Sequence, residues 1–167
     1  MDNIHLRPTF YYKNNKNKPI RAGGVIIYRK NNNETEVLLI KKIKNDLENY
    51  EDIGGKTSYE DTSILDTVSR EVSEETNYII NKNIIKKQIN QYKYKSIYNI
   101  KSKYILYFIK ANSYERLLES ENFGNLEIYD KIERTIVWVN VNEIINKEIS
   151  IHPRLILEDL INNIITL

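Results

Sequence analysis

Residues 54–78 read GGKTSYEDTSILDTVSREVSEETNY. A glycine pair and an acidic loop lead into a periodic run. From Ser63 to Thr76 the apolar residues Ile64, Leu65, Val68 and Val72 recur at helical spacing, Thr62 or Ser63 offers a capping hydroxyl, and Asp66 a capping-box acid. The spacing predicts a helix whose last turns carry Arg70, Glu71, Glu74 and Glu75. At about 100° per residue, Glu71 and Glu75 stand about 40° apart, and Glu74 about 60° to the other side of Glu71. Three carboxylates therefore share one flank of the helix end, where the helix dipole is also negative and cations are the favoured neighbours. Glu75 falls within about 20° of Val68, on the border of the apolar stripe, where an unpaired carboxylate is costly. A bound divalent ion would relieve both penalties. A solvated acidic face, paired with Arg70 and nearby lysines, is the alternative.

Outward from this segment, RAGGVIIY (Arg21 to Tyr28) and EVLLIKK (Glu36 to Lys42) are short, β-branched runs separated by the polar turn Lys30-Asn31-Asn32-Asn33, and they predict a strand pair. YILYFIK (Tyr104 to Lys110) and TIVWVNV (Thr135 to Val141) predict two more strands, with a partly irregular polar stretch, Ser113 to Asp130, between them. Near the end, Pro153 suits a first helical position, and Leu157, Leu160, Ile161, Ile164 and Ile165 form one apolar stripe of a core-packing helix. Strands before, between and after helices predict a layered α/β or α+β fold, with residues 1–167 forming one domain.

Composition narrows the chemistry. The 167 residues include no Cys, which excludes disulfides, thiolate metal sites and cysteine nucleophiles. Two His and 23 Asp+Glu remain as strong ligands, so a metal site would be built mainly from oxygen, favouring Mg²⁺ or Mn²⁺ over Zn²⁺. A net charge of +2 is too balanced for whole-protein capture of nucleic acid or membrane. The opening MDNIHLRPTF lacks a signal-peptide layout, and no apolar run approaches the roughly 20 residues of a membrane span, so a soluble, cytoplasmic protein without a membrane partner is expected. The enrichment in Ile, Asn, Lys and Tyr matches AT-rich codons and weakens arguments from the abundance of Lys or Asn.

With these elements in place, the central segment resembles the box of the Nudix hydrolases, Gx5Ex7REUxEExGU with U aliphatic. Residues 70–78, REVSEETNY, match its second half, and Gly54-Gly55-Lys56 is similar to the usual loop start. There are three departures. One extra residue separates Gly55 from Arg70, so the loop acid that partners the box arginine is Glu60 or Asp61. Asn77 replaces the helix-ending glycine, and Asn is the next-best residue for a left-handed backbone. Asp52-Ile53 stand where many members carry Pro, and Tyr78 takes an aliphatic slot.

The resemblance implies an α/β/α sandwich with a mixed central sheet. It also implies cleavage of a diphosphate linkage in a nucleoside-diphosphate-X substrate, with Glu71, Glu74 and Glu75 holding Mg²⁺ or Mn²⁺ and the Gly55 carbonyl adding a ligand. Carboxylate-held cations neutralise phosphate oxygens and lower the pKa of an attacking water. The general base varies within the family; Glu133, just before the Trp138 strand, is the favoured candidate, with Glu119, Glu121 and Glu127 as alternatives. Lys41, Lys42 and Lys56 are candidate phosphate binders. Between Lys86 and Tyr104, lysines and tyrosines interleave without an acid, a pattern suited to tracking a phosphate backbone while stacking bases; Lys93, Lys95 and Lys101 are the candidate RNA contacts. Capped RNA is therefore the leading expected substrate. A small nucleotide, dinucleoside polyphosphate or inositol pyrophosphate is the second, and a non-catalytic RNA-binding module the third. No protein partner can be inferred.

Overall fold

The computed structural model describes residues 7–91 and 95–167. In chain order the elements are β1 (Phe10–Tyr11), β2 (Pro19–Ile20), β3 (Ala22–Asn31), β4 (Glu34–Lys44), β5 (Leu47–Glu51), β6 (Ile53–Lys56), α1 (Ile64–Glu75), α2 (Lys82–Gln91), β7 (Ser96–Asn99) and β8 (Tyr104–Lys110). They continue with α3 (Ser120–Phe123), β9 (Leu126–Glu127), β10 (Ile132–Glu133), β11 (Thr135–Asn140), α4 (Val141–Ile145) and α5 (Leu157–Ile164). Among the described residues the main sheet has seven strands. Its spine runs β11-β4-β3-β8-β7, with β5 on β4 and β6 on β3. The β3–β8 pairing is parallel and the others antiparallel, so the sheet is mixed, as expected.

Two-residue turns set the long hairpins. Asn32 and Asn33 (φ 48° and 66°) join β3 to β4, and Asn45 and Asp46 (φ 52° and 61°) join β4 to β5; left-handed backbone at both positions is what a tight hairpin turn requires. Beyond its pairing with the second half of β3, β4 carries on beside β5, and β6 takes its place against the first half of β3.

Side-chain alternation divides the core between the two sheet faces. Val25 and Ile27 of β3 pack with Val68 and Val72 of α1 and Ile85 and Ile89 of α2. Ile26, between them in sequence, joins Leu39, Ile144 of α4 and Leu160 and Ile164 of α5 on the opposite face. This is an α/β/α sandwich. It explains why Tyr104–Ile109 is unbroken by polar residues: β8 is central and buried on both faces.

The segment with interleaved Lys and Tyr begins in a helix: residues Lys86–Gln91 belong to α2, whose Ile85, Gln88 and Ile89 are buried one helical turn apart. One sequence expectation is corrected. Pro153 lies in a turn, and α5 begins at Leu157 with Ile156 as its cap. No helix among the described residues is long and apolar enough to cross a membrane.

Candidate active site

The acidic helix starts and stops by side-chain chemistry. The Ser63 hydroxyl accepts the Asp66 N–H (3.1 Å), and Asp66 in turn accepts the Thr62 N–H and hydroxyl. At the other end the Asn77 N–H reaches the Glu74 carbonyl (3.0 Å) and the Tyr78 N–H the Ser73 carbonyl (2.7 Å), a Schellman closure. Asn77 has φ 53°, the left-handed backbone expected at this position. A buried cation serves the negative end of the dipole: Arg134 Nη2 donates to the Glu75 carbonyl at 2.7 Å. This arginine comes from the residue before β11 and escaped the sequence reading.

Glycines bring α1 against β6. The Gly54 N–H donates to Glu75 Oε2 at 2.7 Å, and a Cβ on Gly55 would collide with the Glu71 carboxylate. Arg70 then resolves the ambiguity of the extra loop residue. Its Nε and Nη2 hold the two oxygens of Asp61, each at 3.1 Å, while Glu60 pairs with the Tyr59 hydroxyl. Nη2 also reaches the Lys56 carbonyl (2.9 Å), and Nη1 donates to Glu71 (2.9 Å) and Glu74 (3.0 Å). Burial opposes the Asp61 charge, but Arg70, the Ser58 N–H and the Thr67 hydroxyl outweigh it and keep this carboxyl below its usual range. Burial works against the Arg70 charge too, and its acidic neighbours overcome it, raising the arginine further.

The glutamates behave oppositely. Burial pushes Glu71 up to about 7 despite Arg70. It raises Glu74, with Asp130 and Glu127 adding repulsion, and it carries Glu75 well above the carboxylate range, assisted by Glu71. Arg70 draws Glu71 and Glu74 one way and Gly54 draws Glu75 another, so no three His, Cys, Asp or Glu converge as a ligand cluster among the described residues. Mg²⁺ does not need such a cage, because one or two carboxylates plus substrate phosphates normally hold it. Desolvated, under-neutralised oxygen donors beside the Gly55 backbone fit a hard divalent cation.

The same three glutamates line a small cleft with Lys42, Glu127, Asp130 and Arg134, enclosing about 30 Å³, room for an ion-sized body. Lys42 is ion-paired with Glu51. Lys41, one residue earlier on β4, points to the other side, pairs with Glu48 (2.5 Å) and lines a larger depression of about 490 Å³. Glu133 is exposed on β10 and lines that depression, not the carboxylate cleft. Of the four acids weighed as a base, Glu127 is the one that lines the cleft. Glu119 binds Arg29 at 3.1 Å, and Glu121 sits in the first turn of α3. Lys56 is exposed at the end of β6, contributing its carbonyl to Arg70.

Of the candidate RNA contacts, Lys95 touches the Thr166 hydroxyl and Lys101 is exposed in the turn after β7, while Lys93 lies outside the described residues; Lys86, at the start of that segment, is paired with Asp66.

Beneath the glycines lies a network the sequence reading missed. Asp52 is fully buried and bound by Arg154 through Nε (2.9 Å) and Nη2 (2.7 Å), while the Tyr104 hydroxyl donates to its other oxygen. The one signal was Asp52 itself, a charge one residue short of the glycine pair; its partner stands 102 residues away.

The chain is similar in structure to the crystal structure of C. elegans Ap4A hydrolase, with 21% identity and TM-score 0.48 over 76% of this chain and 84% of that one. A binary complex of C. elegans Ap4A hydrolase gives 19% and 0.43 over the same shares. Shewanella oneidensis NrtR complexed with a 27mer DNA gives 14% and 0.45 over 86% of this chain and 59% of that one. No curated protein matches in sequence. The NUDIX domain pattern matches residues 18–160 and so takes in the glycine pair, the acidic helix and the sheet that carries them: the chain belongs to the NUDIX family, the hydrolases acting on phosphoric anhydrides.

Proposed function

We propose that the chain is a divalent-cation-dependent pyrophosphohydrolase that cleaves the diphosphate of a small nucleoside-diphosphate-X compound. The observation that carries this reading is the crowding of Glu71 and Glu75, desolvated and short of counter-charge, against the Gly54-Gly55 backbone. Glu71, Glu74 and Glu75, with the Gly55 carbonyl, would hold Mg²⁺ or Mn²⁺, which when bound neutralises phosphate oxygens and acidifies a water. Lys42 and Arg134 on the cleft wall supply positive charge toward the diphosphate. The remainder of the substrate has room in the depression of about 490 Å³ that shares Arg134 with the cleft, a volume in the ordinary range of small-molecule sites. Glu127, inside the cleft, replaces Glu133 as the candidate general base, and Glu133 and Lys41 become contacts for the substituent.

The size of this depression favours a small substrate over capped RNA. Products released from a panel of free nucleotides and capped RNA, with Mg²⁺ and with Mn²⁺, test this. Glu75→Gln should reduce turnover to less than a tenth of wild type with the fold intact, since removing a metal ligand raises the barrier by more than about 1.4 kcal/mol. A larger residual rate refutes the metal assignment. Preferential cleavage of capped RNA, with a salt dependence that flattens when Lys95 and Lys101 are neutralised, would restore the RNA reading.

A further inference from the structure

We infer that Asn77 is a positioning residue: its side-chain amide fastens the loop of residues 123–130 to the end of α1 and so sets the wall that carries Glu127 and Asp130 into the cleft. The inference rests on the hydrolase reading for its catalytic consequence, but its geometry stands independently.

The amide nitrogen of Asn77 donates to the carbonyls of Phe123 (2.9 Å) and Leu126 (2.8 Å), and its Oδ1 accepts the Ile128 N–H (2.9 Å). All three bonds reach backbone 46 to 51 residues away in sequence. A glycine would close the helix equally well, with φ 53° available to it, but would leave these three backbone groups without this partner. Asn meets both demands at once: it tolerates the left-handed backbone and presents a donor and an acceptor from one planar group.

The loop needs an anchor because of what it carries. Glu127 is buried, and its oxygens accept the Tyr129 (3.2 Å) and Asp130 (2.7 Å) N–H groups, folding the tip toward the cleft. Glu127 and Asp130 then face the three glutamates, and their repulsion of Glu74 pushes the loop outward. Arg134 grips the near end through the Phe123 and Gly124 carbonyls. From Leu126 onward the short β9–β10 pairing and Asn77 do the holding. Because Leu126 lines the larger depression and Glu127 the cleft, the same latch sets both compartments.

The test compares Asn77→Gly with Asn77→Asp, each compatible with a positive φ, in the full-length chain. Hydrogen exchange should show the Ile128, Tyr129 and Asp130 amides at least tenfold faster in Asn77→Gly while the α1 amides keep their protection, with Asn77→Asp, which retains the acceptor for Ile128, intermediate. On the best substrate of the panel, Asn77→Gly should lower kcat/KM at least tenfold, and the loss should shrink in a Glu127→Gln, Asp130→Asn background, because the latch then has little left to position. Unchanged loop exchange in Asn77→Gly overturns the latch. Additive losses in the double-mutant cycle overturn the positioning role. If wild type cleaves nothing in the panel, the hydrolase reading fails while exchange still decides the latch; if Asn77→Gly does not fold, exchange in Asn77→Asp decides it, and wild-type rates at Tyr129 and Asp130 there refute it.

Discussion

Replacing Glu71 by Gln should make the metal-free protein more stable at pH 8 and no more stable at pH 4.5. In the folded chain this carboxyl is lifted from 4.5 to about 7, chiefly by burial, and only 17% of its side chain is exposed. Folding therefore favours its protonated form. The stability tied to that proton is complete below about pH 4.5 and is lost as the pH rises through about 7. At about 1.4 kcal/mol per pH unit, holding the charged form in place costs about 3 kcal/mol at pH 8. Gln keeps an acceptor for Arg70 Nη1, and the charge assistance it gives up is already contained in that shift, which is net of Arg70. The gain is therefore about 3 kcal/mol, or about 6–12 °C in Tm for a chain of this size. Thermal unfolding with EDTA at the two pH values measures it. Equal or lower stability of Glu71→Gln at pH 8, or the same advantage at both pH values, would refute the argument that this carboxylate is desolvated and under-neutralised.

Millimolar Mg²⁺ or Mn²⁺ should raise the wild-type Tm at pH 8, reversibly with EDTA, because only the folded cluster binds the ion; no shift would favour a solvated acidic face. Arg134→Met should cost about 2–4 kcal/mol in urea unfolding, since it removes donors from the Glu75, Phe123 and Gly124 carbonyls and the cation at the α1 terminus; a loss under about 1 kcal/mol would contradict that account. Asp52→Asn should cost about 3 kcal/mol by leaving the half-buried Arg154 with only its longer ionic contact, to Glu51 (3.7 Å), and adding Arg154→Met should recover much of it; additive losses would deny the pairing.

Periodicity made much of this molecule readable. The runs at Ile64–Val72 and Tyr104–Lys110 announce one helix face and one doubly buried strand, because burial on one or two sides leaves a direct trace in residue order. What stayed hidden depended on contacts with no such trace. Ile85 and Ile89 have helical spacing, but the interleaved Lys and Tyr from Lys86 onward drew the reading toward phosphate contacts, and α2 went unread. Choosing Asp61 over Glu60 needed the path of the loop across Arg70. Glu127 and Glu133 sit on the two strands of one small hairpin, and only its orientation decides which one enters the cleft. Asp52 and Arg154 meet because β6 and the segment before α5 lie together, which neither local sequence reveals.

The chain has only five glycines, and their placement separates two uses of that residue. Among the described residues, asparagine takes five of the eleven non-glycine positions with positive φ, Asn14, Asn32, Asn33, Asn45 and Asn77; lysine takes four, Asp46 and Tyr78 the other two, and Gly124 is the one glycine used this way. Gly23 and Gly24 stand opposite Gly55 and Gly54 across the β3–β6 pairing, and an added Cβ at any of the four would collide with a neighbouring strand, Asp52, Tyr104, Val68 or Glu71. A composition drawn toward AT-rich codons, and so away from glycine, keeps these four where volume and not dihedral angle is at stake. Genetic drift in base composition can thus exchange the turns of this fold for asparagine while the floor of the cleft stays closed to it.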